Sequence, residues 1–387
     1  MYGATVFRLR GMFLSCFFFA CLVLVTTGEV RANDFPDDAQ KAVNAILEQR
    51  DPASEALSPE VVNTFLSYAM SPLSHQGDAP AKRKEGHGII WRNSLGQPFA
   101  TVLRYLFNPG IPNEIAYPAS VRRSAWLPGS DMLSLKAPLW EELGKHGDQP
   151  LVLRGKEYEA ITPDTFSGAY YSYTLDRLFL LTEYEGRQVL VTVAWQDGKS
   201  EVGKKAAYIG EYEDWDFIYS DAAGTLKSGI GWADTYMYAS CAIIVFYEEA
   251  AGSNSTGYTV FKWLDAGWSS MNMVKAEHIA SGAERSFKGL KAFLESPALP
   301  PAEELAAYVE SLRALDEAAL RERFKPYSLK VSELAAGDST LSSSDFQKVI
   351  ADGGYGDHLS KKDIIAAMCV NYIKGKLGKP QLAGPLE

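Results

Sequence analysis

A chain of 387 residues that is 47% apolar, 12% aromatic and 22% charged has the composition of a folded globular protein, which excludes collagen, intrinsic disorder and a disulfide-dense miniprotein. Its 38 basic residues face 48 acidic ones, a formal charge of −10, so it lacks the basic footprint that non-specific binding to nucleic acid or anionic lipid needs. The length suits two domains, or one large domain with extensions.

Arg8 and Arg10 precede the apolar run Met12–Val25, and Val30 and Ala32 supply the small residues of a cleavage site. Residues 1–32 thus carry the three-part pattern of a secretory signal peptide. The run is short of the ~20 residues of a membrane span, which favours a cleaved signal over an N-terminal membrane anchor. The expected location is a periplasm or the extracellular space, and the chain after removal of the signal is expected to be soluble. Cys241 and Cys369 then remain, each in an apolar stretch, as a single disulfide or as buried inert thiols. No CxxC, zinc-ligand spacing, Walker loop, GxGxxG or HExxH occurs, so neither a cofactor nor a metal is expected.

Residues 33–86 read as a helical segment and linker. One helix carries Val43, Ile46 and Leu47 on one face, and Ser58-Pro59-Glu60 caps and opens a second whose stripe is Val62, Phe65, Leu66 and Ala69. Ser71 to Gly86, with the triplet Lys82-Arg83-Lys84, reads as an exposed linker.

Residues 87–297 read as a β-rich domain. Between Tyr158 and Trp268, 22 of 111 residues are aromatic, well above the overall share, as suits half-buried pleated surfaces. Arg177–Tyr184 and Arg187–Trp195 flank Glu185-Gly186, a two-residue hairpin turn. Pairing Tyr184 with Arg187 sets Leu178, Leu180 and Thr182 beside Val193, Val191 and Val189, an apolar face that a one-residue slip would destroy. Asp234–Glu248 reads as a long strand apolar on both faces, and Tyr258–Leu264 as its return, completing an antiparallel meander.

Residues 298–387 read as a helical C-terminal region. Before it, Ser281 and Glu284 form a capping box, and Ile279, Ala283, Phe287, Leu290 and Leu294 make an amphipathic stripe that stops at Ser296-Pro297. Pro301 and Asp316 open the next two helices, the second ending near Phe324-Lys325-Pro326, and Ser360 caps the last.

Three groups of residues invite chemistry. Glu211, Glu213, Asp214 and Asp216 around Trp215 offer carboxylates for acid/base work or for calcium, although the ordinary reading is a solvated strand end. Cys241 and His278 offer a nucleophile and base, although a core thiol and a helix-entry histidine are commoner. The aromatic set is the most unusual feature. Tyr171, Tyr173, Trp195, Trp232, Tyr236, Tyr238 and Trp268, with Phe287 from the facing helix, could line a pocket for an apolar ligand or could pack the core.

The stretch YTVFKWLDAGWSSMNMVKAEHIASGAERSFKGLKAFLE, Tyr258 to Glu295, resembles the closing unit of START/Bet v 1-like helix-grip domains, with a last long strand at Tyr258–Leu264, a turn at Gly267-Trp268 and a long helix at Ser281–Glu295. The resemblance implies an α+β fold, in which a long helix grips an aromatic-rich antiparallel meander, with helical N- and C-terminal extensions as departures from the family. It also implies a cavity between sheet and helix for a lipid or other apolar molecule. The sequence reading is therefore an exported, non-catalytic protein that binds an apolar, lipid-like ligand. The alternatives are an envelope hydrolase using the carboxylate cluster or the Cys241/His278 pair, and an envelope scaffold or assembly protein.

Overall fold

Alternation of apolar side chains along 87–268 produces long strands whose two faces are both apolar, and such strands need cover on both sides. A computed structural model describes residues 35–384 except 72–78, 147–148, 165–167, 228–230, 339–340, 342 and 352–353; the proposed signal segment lies outside the described residues. Residues 33–387 form one compact unit, so the three compositional regions pack together. The chain is a mixed α and β protein built on a large antiparallel sheet. Among the described residues no helix is long and apolar enough to cross a membrane.

The strands are β1 (His87–Leu95), β2 (Val121–Trp126), β3 (Leu151–Ile161), β4 (Ala169–Tyr170), β5 (Ser172–Tyr184), β6 (Arg187–Gln196), β7 (Lys204–Tyr208), β8 (Phe217–Ala223), β9 (Thr225–Lys227), β10 (Gly231–Ala233), β11 (Thr235–Glu248), β12 (Thr256–Trp268) and β13 (Met271–Asn272). The main sheet runs β1-β12-β11-β6-β5-β3-β2, with β13 added beside β12. Strands β4, β7 and β8 make a small second sheet, and β9 and β10 a hairpin. The β5–β6 hairpin has the expected register, Tyr184 opposite Arg187 and Leu178 opposite Val193. Its turn works because Glu185 and Gly186 both take positive φ, 50° and 73°, which matches the twist of the strands.

Helices α1 (Asp37–Glu48) and α2 (Pro59–Ala69) cover one face. Their Ile46, Phe65 and Leu66 are fully buried against Leu178, Val191, Val193, Ile243 and Phe261; each such side chain contributes about 1.5–3 kcal/mol of transfer free energy. Of the expected linker, the described residues 79–86 are not free, while 72–78 lie outside the described residues. Ala81 accepts a hydrogen bond from Trp263 Nε1 at 3.1 Å, Arg83 donates to Asn44 Oδ1 at 2.8 Å, and Glu85 is buried, because these residues strap α1 to the sheet.

The opposite face carries α3 (Phe99–Leu106), the short α4 (Asn113–Ala116), α5 (Ala276–Leu294) and, outside them, α6 (Ala302–Ala314), α7 (Glu317–Gly337), α8 (Ser344–Ala351) and α9 (Lys361–Lys376). Two helix boundaries depart from the expectations. Helix α5 begins at Ala276, with Lys275 at its N-cap and His278 Nδ1 accepting from the Lys275 N–H at 3.3 Å, so the Ser281/Glu284 box lies inside the helix. Helix α7 runs through Pro326 to Gly337. The hydrogen bond that proline forfeits belongs to the carbonyl of exposed Glu322, while Leu320, Phe324, Tyr327, Val331 and Ala335 keep one buried stripe across it. The expected caps at Ser58, Asp316 and Ser360 all form.

Candidate functional site

The α5 face of the main sheet decides whether anything can bind there. Beneath the C-terminal half of α5 the space is filled. Phe287 stands edge-on to Trp91 at 4.8 Å and against Tyr258 at 5.2 Å; Tyr258 meets Phe246 at 5.1 Å, and Phe107 joins Phe246 to Phe179. Gly289 lets the helix come close to Ala119, where an added Cβ would sit 3.1 Å from the alanine methyl.

The middle of the same face differs. Hydrogen-bonded neighbours place Lys262 of β12, Ala242 of β11, Ala194 of β6 and Arg177 of β5 in one row across four strands. Two alanines thus separate two cations about 14 Å apart, three strand spacings. The next row in the same direction holds Leu264, Ser240 and Gln196. Ala194, Ile244, Lys262, Arg177 and Leu264 keep partial exposure, whereas Phe179, Leu190 and Phe246 on this face have none or almost none. Strand β6 is flanked on both edges, so water reaches Ala194 only from above the sheet. Ala242 is buried, and Ala194 and Leu264 also pack against the cluster of Tyr171, Tyr173, Leu175 and Met237, so the space that water reaches lies over only part of the row.

Polar atoms collect around this gap. Glu157, 1% exposed, pairs with Arg177 and accepts from Asn113 Nδ2 at 2.5 Å. Burial pushes its carboxyl up to about 7 against the pull of the guanidinium. Tyr173 donates to Glu159 Oε1 at 2.6 Å. Gln196 spends its Nε2 on the carbonyls of Gly198 and Met237, both at 2.8 Å, and its Oε1, like Arg177 Nε, is buried with no hydrogen-bond partner. Lys262 Nζ donates to Ser240 Oγ at 3.2 Å, and burial lowers the ammonium's pKa.

The seven aromatic candidates whose side chains are described do not converge on one site. Tyr171 and Tyr173 join Leu175 and Met237 in a small cluster against which Ala194 and Leu264 pack, so these two candidates adjoin the row; Tyr171 and Thr235 are hydrogen-bonded at 3.0 Å. Trp195 lies in the core beneath α1 and α2, and Phe287 in the core beneath α5. Tyr236 and Tyr238 are tilted ring neighbours at 6.1 Å, partly exposed, and Lys199 Nζ sits 3.7 Å over Tyr236. Trp268 is partly exposed at the end of β12, and the Trp232 side chain lies outside the described residues. Strand alternation distributes these rings between two faces and one end of the sheet, which a list of aromatic positions does not show.

Neither catalytic alternative is assembled. Cys241 belongs to the α1/α2 core, where burial pushes its thiol up to about 12, and His278 is exposed at the start of α5. Of the four acids, Asp216 turns inward to pair with fully buried Lys374 of α9, Glu211 and Glu213 are exposed, and Trp215 between them takes φ 62°. The cysteines are free and belong to different cores. Among the described residues no group of three or more His, Cys, Asp or Glu is arranged to hold a metal. A separate cleft lined by Arg122, Trp215, Tyr219, Tyr327 and Val370 has a volume of about 40 Å³, room for water alone.

Sequence reasoning passed over Lys262. Its signal was present: in Tyr258, Val260, Lys262, Leu264 a charge interrupts an otherwise apolar stripe. Compared with known families, curated proteins and solved structures, the chain matches none of them.

Proposed function

We propose that this is a non-catalytic binding protein that holds an apolar, lipid-like molecule on the α5 face of its main sheet, in a helix-grip arrangement, outside the cytoplasm. The observation that carries the reading is the row Lys262–Ala242–Ala194–Arg177 in the middle of the main sheet, in which all but the buried Ala242 keep partial exposure. The small side chains of Ala194, partly exposed, and Ala242, buried, form a floor, and apolar walls stand beside it at Ile244 and Leu264. The helix-grip reading is supported by the strand order, in which β1 lies beside the last long strand, and by two helices between β1 and β2 and one long helix after β12. The export reading rests on the composition of residues 1–32.

The floor is narrow, because the aromatic cluster beneath α5 occupies the rest of the layer. A slender chain fits it better than a fused-ring body. Native mass spectrometry of the protein purified from its own host tests the reading, together with titration by the neutral fluorophore N-phenyl-1-naphthylamine. A retained amphiphile, or saturable fluorescence enhancement displaced by oleate or oleyl alcohol, is the expected result. A bare mass with no saturable dye binding refutes it.

A further inference from the structure

We infer that the ligand's head group is an uncharged hydroxyl at the end of an apolar chain, held between Gln196 and Arg177. The inference rests on the reading above and names its ligand class. Its starting point is two buried atoms without a hydrogen-bond partner among the described residues, Gln196 Oε1, which accepts only, and Arg177 Nε, which donates only. Gln196 Nε2 is held by the carbonyls of Gly198 and Met237, which leaves Oε1 as the free end of the amide. Arg177 lies opposite Ala194, and Gln196 stands two residues from Ala194 along β6, so the two are diagonal neighbours on one face. Such neighbours are about 7–8 Å apart at the backbone, within reach of long side chains, yet these two do not bond to each other. A buried donor and a buried acceptor are both costly to leave unmet, so one group that serves both is the economical occupant. Arg177 and Ala194, both partly exposed, bring the space that water reaches beside these atoms.

The charges around the gap select the same head group. Arg177 is paired with Glu157, and Glu159, which accepts from the Tyr173 hydroxyl, acts on the Lys262 ammonium against the effect of burial. Two cations thus face two carboxylates, and a head group with a charge of its own would upset that balance in a half-dry space. A carboxylate would set acceptor lone pairs against Gln196 Oε1 and a further anion beside Glu157. An ammonium would satisfy Gln196 but press a further cation on Arg177 and Lys262. An ether or ester accepts only and leaves Gln196 unmet. A hydroxyl donates its proton to Gln196 Oε1 and accepts from Arg177 Nε on its oxygen. The chain would then lie against the apolar walls at Ile244 and Leu264.

The test compares four probes that share one chain: oleyl alcohol, its methyl ether, oleate and oleylamine. Each is measured by displacement of N-phenyl-1-naphthylamine from the purified protein at pH 8, where the Glu157 carboxyl, at about 7, is ionised. The wild type should bind oleyl alcohol about tenfold or more tightly than oleate or oleylamine, and about fivefold more tightly than the ether. Gln196→Met should lower oleyl alcohol to the level of the ether and leave the ether unchanged. The probe series in the wild type decides alone if that variant fails to fold. Oleate, oleylamine or the ether bound as tightly as the alcohol, or an alcohol preference that survives in folded Gln196→Met, overturns the hydroxyl assignment while leaving apolar binding in place. Failure of all four probes overturns the binding reading itself, and this inference with it.

Discussion

Ala194→Leu asks directly whether space lies above the centre of the sheet. The substitution adds three carbons to a side chain that is partly exposed although its strand is flanked by β5 and β11. If the volume above is open, the leucine takes up free room. Each added carbon that becomes buried returns about 0.8 kcal/mol, while crowding is slight, so the net change should stay within about 1 kcal/mol of zero. Ala69→Leu is the comparison. Ala69 of α2 has no exposure and faces the same sheet from the other side, so its extra carbons must displace packed neighbours at a cost of about 1–3 kcal/mol. Alanine and leucine are both good helix formers, which leaves packing as the main difference at that position. Urea unfolding followed by tryptophan fluorescence gives both values, with unchanged slopes as the check on two-state behaviour. Dye and oleyl alcohol binding should fall at least tenfold in Ala194→Leu and hold in Ala69→Leu. Equal destabilisation by the two substitutions would show that the sheet centre is packed solid, and the ligand floor would be gone.

Two further outcomes concern stability. Glu114 is buried, accepts hydrogen bonds from the Ser124 N–H at 2.8 Å and hydroxyl at 3.0 Å, and has its carboxyl pushed up to about 7, chiefly by burial. A carboxyl raised in the folded state stabilises fully below its unfolded value near 4.5, and that contribution is lost as pH rises through 7. Glu114→Gln should flatten the decline in stability between those limits by up to about 3 kcal/mol, measured by denaturation at pH 4.5 and pH 8; an unchanged slope counts against the assignment. Lys374→Met strands the Asp216 carboxylate in the core and should cost about 3–5 kcal/mol, whereas Lys374→Met combined with Asp216→Leu should recover most of it. Thermal unfolding of the single and double variants decides this, and a double variant as weak as the single one refutes the pairing argument.

What the sequence could disclose followed the range of its signals. The β5–β6 register was legible because a two-residue turn and an alternating apolar face fix it locally. The caps at Ser58, Asp316 and Ser360 were legible because each side chain serves a backbone N–H three residues on. The pairing of β1 with β12 left no local trace, nor did the placement of α1 and α2 on the back of the sheet, since both depend on residues more than a hundred positions apart. Pro326 misled because a breaker was weighed without the buried stripe that continues past it. For the site, aromatic residues drew attention by their number, yet they serve two cores and one sheet end. The row is made of two alanines, which no composition count singles out, between Arg177 and a lysine that breaks a stripe.

The partnership of β1 with β12 also shapes how the molecule must be assembled. Leu95 lies opposite Thr256, so a newly made chain cannot complete its main sheet until well over half of it has been synthesised. Until then β12 is missing, and the long apolar edge of β11 has nothing to bond to, a template for pairing with other copies. Such distant closure also predicts slow folding by contact-order reasoning. A holdase that shields nascent chains should therefore raise the yield of this protein, and truncation just before Thr256 should drive it into aggregates.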